Sequence, residues 1–209
     1  MGQTVEILNE RGRALFMLAN APAWSDRGDP AVALIAAIEA AASNHQSLTG
    51  AILSRKNLCG LNAPKVVISK AVMDGVLLID ADLRWANFSQ TDLDETQFDG
   101  AQLRFASFEE ASIQDALMRH VIAFGCNFEG VNAAGVDFSG ADLSFVSFLN
   151  ANLEGADFTG ANLNGTNFSF ANLSGADFTD TNLEFTTLFE AETTGVIFPE
   201  SRPGPRHRG

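Results

Sequence analysis

A period of five residues runs through the chain from residue 81 to residue 200 without an insertion or a deletion. In 19 of these 24 pentapeptides the third residue, called here the centre, is Phe or Leu. The residue two places before the centre is always Ala, Thr, Val or Cys. This period matches neither the turn of an α-helix, about 3.6 residues, nor the two-residue alternation of a long strand. The pattern therefore indicates a chain that turns a corner every five residues.

Each pentapeptide fits a three-residue extended piece followed by a two-residue corner. The small residue and the centre then point inward, and the residue between them, often Asp or Asn, points outward. Gly ends ten of the 24 corners, where tight turns favour it. The two Ala centres, Ala123 and Ala133, follow Val121 and Val131 respectively. Volume lost at one inward position is regained at the other, as a packed interior requires.

The centres alternate between Phe and Leu over most of the segment, which adds a second period of ten residues. Four sides per 20-residue coil place like residues over like, whereas three sides would mix every column. We therefore predict a four-sided solenoid whose coils are spaced by the β-sheet distance of about 4.8 Å. One predicted column of stacked rings is Phe88, Phe108, Phe128, Phe148 and Phe168.

Tandem A(D/N)LXX repeats of this kind resemble the pentapeptide-repeat family. The resemblance implies an all-β solenoid, a right-handed quadrilateral β-helix, over residues 66–200. The same register can be traced back to Leu48, but inward Gln46 and Lys56 and a corner Pro64 predict an irregular first coil over residues 46–65. The family by itself says little about function, because one fold serves many functions.

Residues 1–45 are predicted to form an N-terminal α-helical segment, with helices over residues 4–20 and 30–43 and a loop over 22–28. Asp29 as N-cap and Pro30 at the first helical position open the second helix. Two roles are open for this segment: a cap on the end of the solenoid, which repeat proteins need, or a module that docks a partner. The apolar stripe of the second helix consists of Val32, Ile35 and Ile38.

The net charge of -13 is unevenly distributed. Residues 81–200 contain three Lys or Arg against nineteen Asp or Glu, a net of -16. Direct binding of nucleic acid is disfavoured, because phosphate contacts need clustered cations. Residues 201–209 carry three Arg among Pro and Gly, a composition typical of a disordered basic tail. With two cysteines, no signal-peptide pattern and no apolar stretch of membrane-spanning length, we expect a cytoplasmic protein without membrane contact.

We expect no enzyme activity, cofactor or metal. His45, His120 and His207 are isolated in the sequence, and Cys59 and Cys126 lack metal-ligand spacing. No nucleophile-elbow, P-loop or dinucleotide-binding motif is present. Cys126 occupies an inward position and is interpreted as a small core residue.

One row of corner residues is apolar, in an otherwise acidic and small-polar pattern. Corner positions 20 residues apart hold aromatic residues, interrupted by Gly125 and Gly165, and two apolar residues stand beside Gly125. Two interpretations are open: the rings fold back over neighbouring glycine corners, or the row is a ridge that binds a protein. We call this row the aromatic ridge: Trp85, Phe105, Ile122, Phe124, Phe145 and Phe185.

A second apolar cluster, Phe185, Phe189 and Ile197, is predicted to point outward at the end of the last coil. An open coil is an unpaired sheet edge, and proteins cover or pair such edges. Either Pro199 and the tail blunt this edge, or a second copy pairs with it. The family resemblance is consistent with the latter arrangement, a homodimer through the C-terminal coil, and both interpretations stay open.

Some pentapeptide-repeat proteins mimic B-DNA and bind DNA gyrase, so the resemblance implies an acidic DNA mimic as the alternative function. Six coils span about 29 Å, over which duplex DNA carries about 17 charges, close to the net charge of this segment. However, the unbroken register leaves no projecting loop, and no helix follows the last coil, unlike in the gyrase-acting members. The main prediction is therefore a protein-interaction or scaffold module with an unidentified protein partner. The candidate DNA-mimic acids are Asp92, Asp94, Glu95, Asp99, Asp137, Asp157 and Asp177.

Overall fold

Parallel β-bridges join each outward residue to the residue 20 places later, from the pair Ser47 and Val67 to the pair Asp177 and Ile197. These bridges belong to a computed structural model that describes residues 3–21 and 30–199. A constant offset of 20 means that four pentapeptides make one coil, which confirms the four-sided solenoid. The chain is a right-handed quadrilateral β-helix with one short extended piece and one turn in every five residues.

Backbone hydrogen bonds hold each coil to the coils before and after it. The Leu83 N–H donates to the Gln102 carbonyl at 2.9 Å, and the Asp82 N–H donates to the Leu61 carbonyl at 2.8 Å. Most corners are closed by a bond like that from the Ala86 N–H to the Leu83 carbonyl, 3.0 Å. The residue that ends each corner has a positive φ throughout the solenoid, as position three of a type II turn requires.

Phenylalanine centres form two columns that meet in the middle of the solenoid. Within a column the rings stack, as for Phe148 and Phe168, whose centroids lie 5.2 Å apart at an interplanar angle of 2°. Between columns they meet edge to face, as for Phe148 and Phe158 at 6.1 Å. Threonine is tolerated at inward positions because its hydroxyl reaches the backbone: Thr91 Oγ1 donates to the Ile68 carbonyl at 2.9 Å.

The helix predicted over residues 4–20 is wrong, because these residues form an antiparallel hairpin of β1 (Gln3–Leu8) and β2 (Ala14–Ala21). The Asn9 side chain accepts the N–H groups of Arg11 and Arg13 in the turn, each at 3.0 Å. Gly12 supplies a φ of 67°. An Asn and a Gly between two short apolar runs are hairpin signals, and they outweighed the helical spacing of the apolar residues.

The second predicted helix is confirmed as α1 (Pro30–Ser43). Ile38 is fully buried and joins the core of the solenoid, whereas Val32 is 41% exposed, so the predicted stripe is only partly covered. Glu39 Oε1 accepts the Asn62 N–H at 3.0 Å, which ties α1 to the first coil. Asp29, the predicted loop 22–28 and the tail 201–209 lie outside the described residues.

Residues 46–65 are regular, so the irregular first coil predicted there is not observed. Gln46 and Lys56 occupy inward register positions but are exposed, because no coil lies before the first one. Pro64 stands at the first corner position, where the backbone N–H takes no part in the bonds between coils. A proline there removes no ladder hydrogen bond and fixes a φ that the turn accepts.

Candidate functional site

The aromatic ridge lies along one corner of the solenoid. Trp85 stacks on Phe105 with ring centroids 4.3 Å apart and planes at 22°. Phe124 lies between Phe105 and Phe145 and meets them edge to face at 5.5 Å and 5.4 Å. These four rings form a continuous row, and Phe185 follows two coils after Phe145.

Rings of the ridge cover the next glycine corner, as one interpretation of the sequence holds. A Cβ atom built on Gly125 would lie 2.8 Å from Phe105 Cε1, and one on Gly165 would lie 2.9 Å from Phe145 Cδ1. Covering these corners does not bury the rings. The exposed fractions are 56% for Trp85, 41% for Phe105, 61% for Phe145 and 79% for Phe185.

Backbone strain accompanies the ridge. Trp85, Phe105, Phe145 and Phe185 have φ values of 57° to 64°, a left-handed region that favours Gly and is unusual for a bulky residue. Every other corner end of the solenoid has the same conformation, so this strain belongs to the repeat and does not distinguish the ridge. The ring contacts offset part of this strain within the fold.

The charged groups at the two ends of the ridge differ. Near Trp85, Arg84 donates to both carboxylate oxygens of Asp82 at 2.8 Å and 2.7 Å, and this bond to Arg84 lowers the pKa of Asp82. Arg104 donates to Gln102 at 3.2 Å. Near Phe185 stands Glu184, whose exposed carboxylate has no ion pair among the described residues.

Three of the candidate DNA-mimic acids form a column on successive coils. Asp137, Asp157 and Asp177 are joined by consecutive bridges on one side of the solenoid. Each carboxylate accepts the backbone N–H two residues later, at 2.9, 2.7 and 2.8 Å respectively. They therefore stabilise their own corners, as short acidic side chains do in turns.

The other four acids lie nearer the N-terminal end. Asp99 binds Arg119 through two bonds of 2.7 and 3.0 Å, which neutralises its charge. Asp94 accepts the Ser112 hydroxyl at 2.6 Å, and Asp92 accepts the Asp94 N–H at 3.2 Å. Of these four acids, only Glu95 has an exposed carboxylate without a hydrogen bond or an ion pair to any of residues 3–21 and 30–199. The structure thus leaves few of the seven carboxylates free of local contacts.

The C-terminal coil is open at the last described residues. Its inward Leu183 and Leu188 are only partly buried, and their N–H groups have no partner in the described part of the chain. Phe170 was not among the residues predicted from the sequence. It ends the corner after that of Gly165, and its ring meets Phe189 edge to face at 5.5 Å. The rule that found the ridge, a bulky residue at the end of a corner, would have found it. The exposed apolar residues at this end are Phe170 (48%), Phe185 (79%), Phe189 (59%), Ile197 (53%) and Phe198 (47%).

The reactive side chains of the described residues do not form a second candidate site. Cys126 is buried, its Sγ donates to the Leu103 carbonyl at 2.8 Å, and burial raises its pKa to about 12. Within the described ranges, no group of His, Cys, Asp and Glu is placed to hold a metal ion, and no helix is long and apolar enough to cross a membrane.

A cavity of about 370 Å³ lies between the hairpin, α1 and the first coil, with Leu34 and Ile52 in its wall and exposed Lys56 at its rim.

The sequence model for pentapeptide repeats matches in eight copies, over residues 81–119, 124–160 and 156–191, which is more than half of the chain. The chain belongs to the pentapeptide-repeat family. No curated protein matches this pentapeptide-repeat protein.

Several solved structures of pentapeptide-repeat proteins are similar to this one. HetL, involved in heterocyst differentiation regulation in the cyanobacterium Nostoc sp. strain PCC 7120, is 24% identical over 75% of this chain and 86% of its own, with a TM-score of 0.28. Full-length QnrB1, a plasmid-mediated fluoroquinolone resistance protein, is 20% identical over 71% of this chain and 92% of its own, with a TM-score of 0.29. A protein of the Arabidopsis thaliana thylakoid lumen is 29% identical over 63% of this chain and 67% of its own, with a TM-score of 0.18.

Covered and open glycine corners differ in what a methyl group would meet. We expect Gly125→Ala and Gly155→Ala each to lower the free energy of unfolding by about 1 kcal/mol, because both corners have a left-handed backbone. Gly125→Ala should lose up to about 1 kcal/mol more, since its methyl group displaces the Phe105 ring, whereas nothing lies within 4 Å at Gly155. Urea unfolding of both variants measures this, and equal losses would contradict the covered-corner geometry.

Cys126 makes stability depend on pH in the alkaline range. The pKa of Cys126 in the folded protein, about 12, lies above the ordinary value of 9.0. The stability that the neutral, buried thiol contributes is therefore fully present below about pH 9 and is lost as pH rises toward 12. Over that window, wild type should lose up to about 1.4 kcal/mol per pH unit relative to Cys126→Ala. Unfolding free energies of both proteins at several pH values test this, and parallel pH curves would refute it.

Proposed function

We propose that this pentapeptide-repeat protein is a non-enzymatic interaction module, a scaffold that binds a protein partner through the aromatic ridge. The observation that supports the proposal is the continuous row of exposed Trp85, Phe105 and Phe145 with half-buried Phe124 between them. The other outward positions of the rod are mostly small, polar or acidic. Exposed apolar rows with a polar surround are typical of protein-binding sites. Trp is moreover among the residues that contribute most at interfaces.

The geometry suits a partner that covers the row lengthwise. The rings from Trp85 to Phe145 are fixed by contacts with one another, so little side-chain freedom is lost when a partner binds. A rigid aromatic anchor typically contributes about 2 kcal/mol or more at the centre of an interface. We therefore expect Phe105, Phe124 and Phe145 to carry most of the affinity.

Glycine variants test the ridge without disturbing the corners. The triple variant Trp85→Gly, Phe105→Gly and Phe145→Gly should keep the circular dichroism of wild type, because a positive φ favours Gly. It should lose at least tenfold in partner capture, measured by quantitative pull-down from cell extract, since about 2 kcal/mol per anchor is removed.

The matched control changes the next corner of the same three coils. Gln90→Gly, Glu110→Gly and Asn150→Gly also stand at positive φ and do not belong to the ridge. This control should capture the same proteins as wild type. Capture by the ridge variant at the level of this control would refute the proposed binding surface.

The second candidate function is an acidic DNA mimic that binds a type II topoisomerase such as DNA gyrase. Residues 120–199 contain ten Asp or Glu and no Lys or Arg, so the C-terminal half presents acid on every side. The turn bonds of Asp137, Asp157 and Asp177 hold their carboxylates in a fixed row, about 4.8 Å apart along the axis. A fixed row of negative charge is the property that a mimic of the DNA backbone needs.

A supercoiling assay tests DNA mimicry. If the proposal holds, the protein inhibits gyrase on relaxed plasmid at micromolar concentration, and inhibition weakens as salt rises. The variant Asp137→Asn, Asp157→Asn and Asp177→Asn should inhibit less while keeping the fold, because Asn132 and Asn152 occupy the same outward position on the neighbouring side. Inhibition unaffected by salt, or none at all, would rule this function out.

The homodimer through the C-terminal coil and the cytoplasmic location stay predictions. The open coil and the exposed Phe189 and Ile197 support an end-to-end contact, because uncovered strand edges favour pairing. Free Cys59 and Cys126 are consistent with a reducing compartment. Phe189→Ser removes the apolar contact at the open end and leaves the ridge intact, so it separates this contact from binding through the ridge.

A further inference from the structure

The order of residues along the aromatic ridge is complementary to itself when the ridge is reversed. Phe124 lies at the same distance from Phe105 and Phe145, 5.5 and 5.4 Å, so the row is symmetric about its ring. Beyond Phe105 the next ring, Trp85, follows at 4.3 Å. Beyond Phe145 the next ring of the row is Phe185, two coils on, which leaves a gap about one ring wide.

We propose that two copies of this chain associate side by side and antiparallel through the aromatic ridge, about a two-fold axis at Phe124. The inference rests on the proposed function of the ridge as a protein-binding surface, and it names that protein as a second copy. A two-fold axis requires one patch to be complementary to itself, which is what the reversed row provides.

The two-fold axis pairs each ring with a suitable neighbour. Phe105 of one copy faces Phe145 of the other, and Phe124 faces its own equivalent on the axis. Trp85, the largest ring, faces the gap between Phe145 and Phe185. A parallel arrangement would instead place Trp85 against Trp85 and leave the gap unfilled, so packing favours the antiparallel one.

The charged residues at the two ends of the ridge also favour the antiparallel arrangement. Lys65 ends the corner one coil before Trp85, and Glu184 adjoins Phe185 at the other end of the row. Both side chains are exposed, and neither has an ion pair among the described residues. The antiparallel arrangement forms two Lys65 to Glu184 pairs, whereas the parallel one brings like charges together.

The contact is small. The exposed parts of the rings amount to on the order of 500 Å² per copy, near the lower end for a specific interface. The net charge of -13 on each copy opposes association. The dimer should therefore be reversible, with the chain monomeric at low micromolar concentration and dimeric at submillimolar concentration.

Charge-reversal variants test the arrangement. Lys65→Glu and Glu184→Lys each place like charges at both ends of a dimer of identical copies, so each variant alone should dimerise on the order of tenfold more weakly than wild type. Mixing the two variants restores both opposite-charge pairs. The mixture should therefore recover wild-type association, measured as the rise in mass from 22.3 kDa with concentration in sedimentation velocity.

Two further variants separate the alternatives. Phe105→Gly should abolish the dimer and Phe189→Ser should leave it unchanged; the opposite result would assign the dimer to the C-terminal coil and overturn the inference. A wild-type chain that stays monomeric at every concentration, or a variant mixture that does not recover, also overturns it. Partner capture lost in the ridge triple variant under those conditions would still support the proposed function, so the two failures are distinguishable.

Discussion

The backbone hydrogen bonds between coils determine nearly everything else in the molecule. Because the N–H of a centre reaches a carbonyl 19 residues later in every coil that has a following coil, as from Leu83 to Gln102, stacked residues lie directly above their counterparts. Inward residues then form columns in which like packs on like. Outward residues form rows along the axis, in which apolar or charged side chains of successive coils lie next to one another. The stacked phenylalanines and the aromatic ridge are two results of this one constraint.

Much of the solenoid could be predicted from the sequence because its rules are local and repeated. The alternation of Phe and Leu gave four sides, and the corner positions gave the row from Trp85 to Phe185. The hairpin over residues 3–21 was missed because it occurs once, so no repetition strengthened its turn signal around Asn9 and Gly12. The regular first coil was missed because inward Gln46 and Lys56 look unsuitable until the end of the solenoid is seen to expose them.

The chemistry of the surface depended on contacts that spacing does not reveal. Sequence placed Asp99 and Asp137 among the candidate DNA-mimic acids, yet Asp99 is bound to Arg119 and Asp137 accepts the N–H of Ser139. Sequence also placed Phe124 as a neighbour of a glycine corner, whereas its ring connects Phe105 with Phe145 into one row. Such contacts depend on which way a side chain leans, and corner side chains here lean toward the coil that follows. Most of the candidate acids thus form hydrogen bonds that stabilise the fold, whereas the rings of the ridge leave much of their area exposed.

The offset of 20 residues between neighbouring coils also governs how such a chain can change in length. Gain or loss of one whole coil leaves every later side chain on its original side. Loss of a single pentapeptide between Phe105 and Phe145 keeps the small and large inward positions in order, but turns everything that follows by a quarter of a revolution and stacks Phe centres on Leu centres at the junction. Phe145 and Phe185 would then move to a different corner from Trp85 and Phe105. A five-residue deletion in such a chain therefore divides the surface row and mismatches the core columns at one and the same coil.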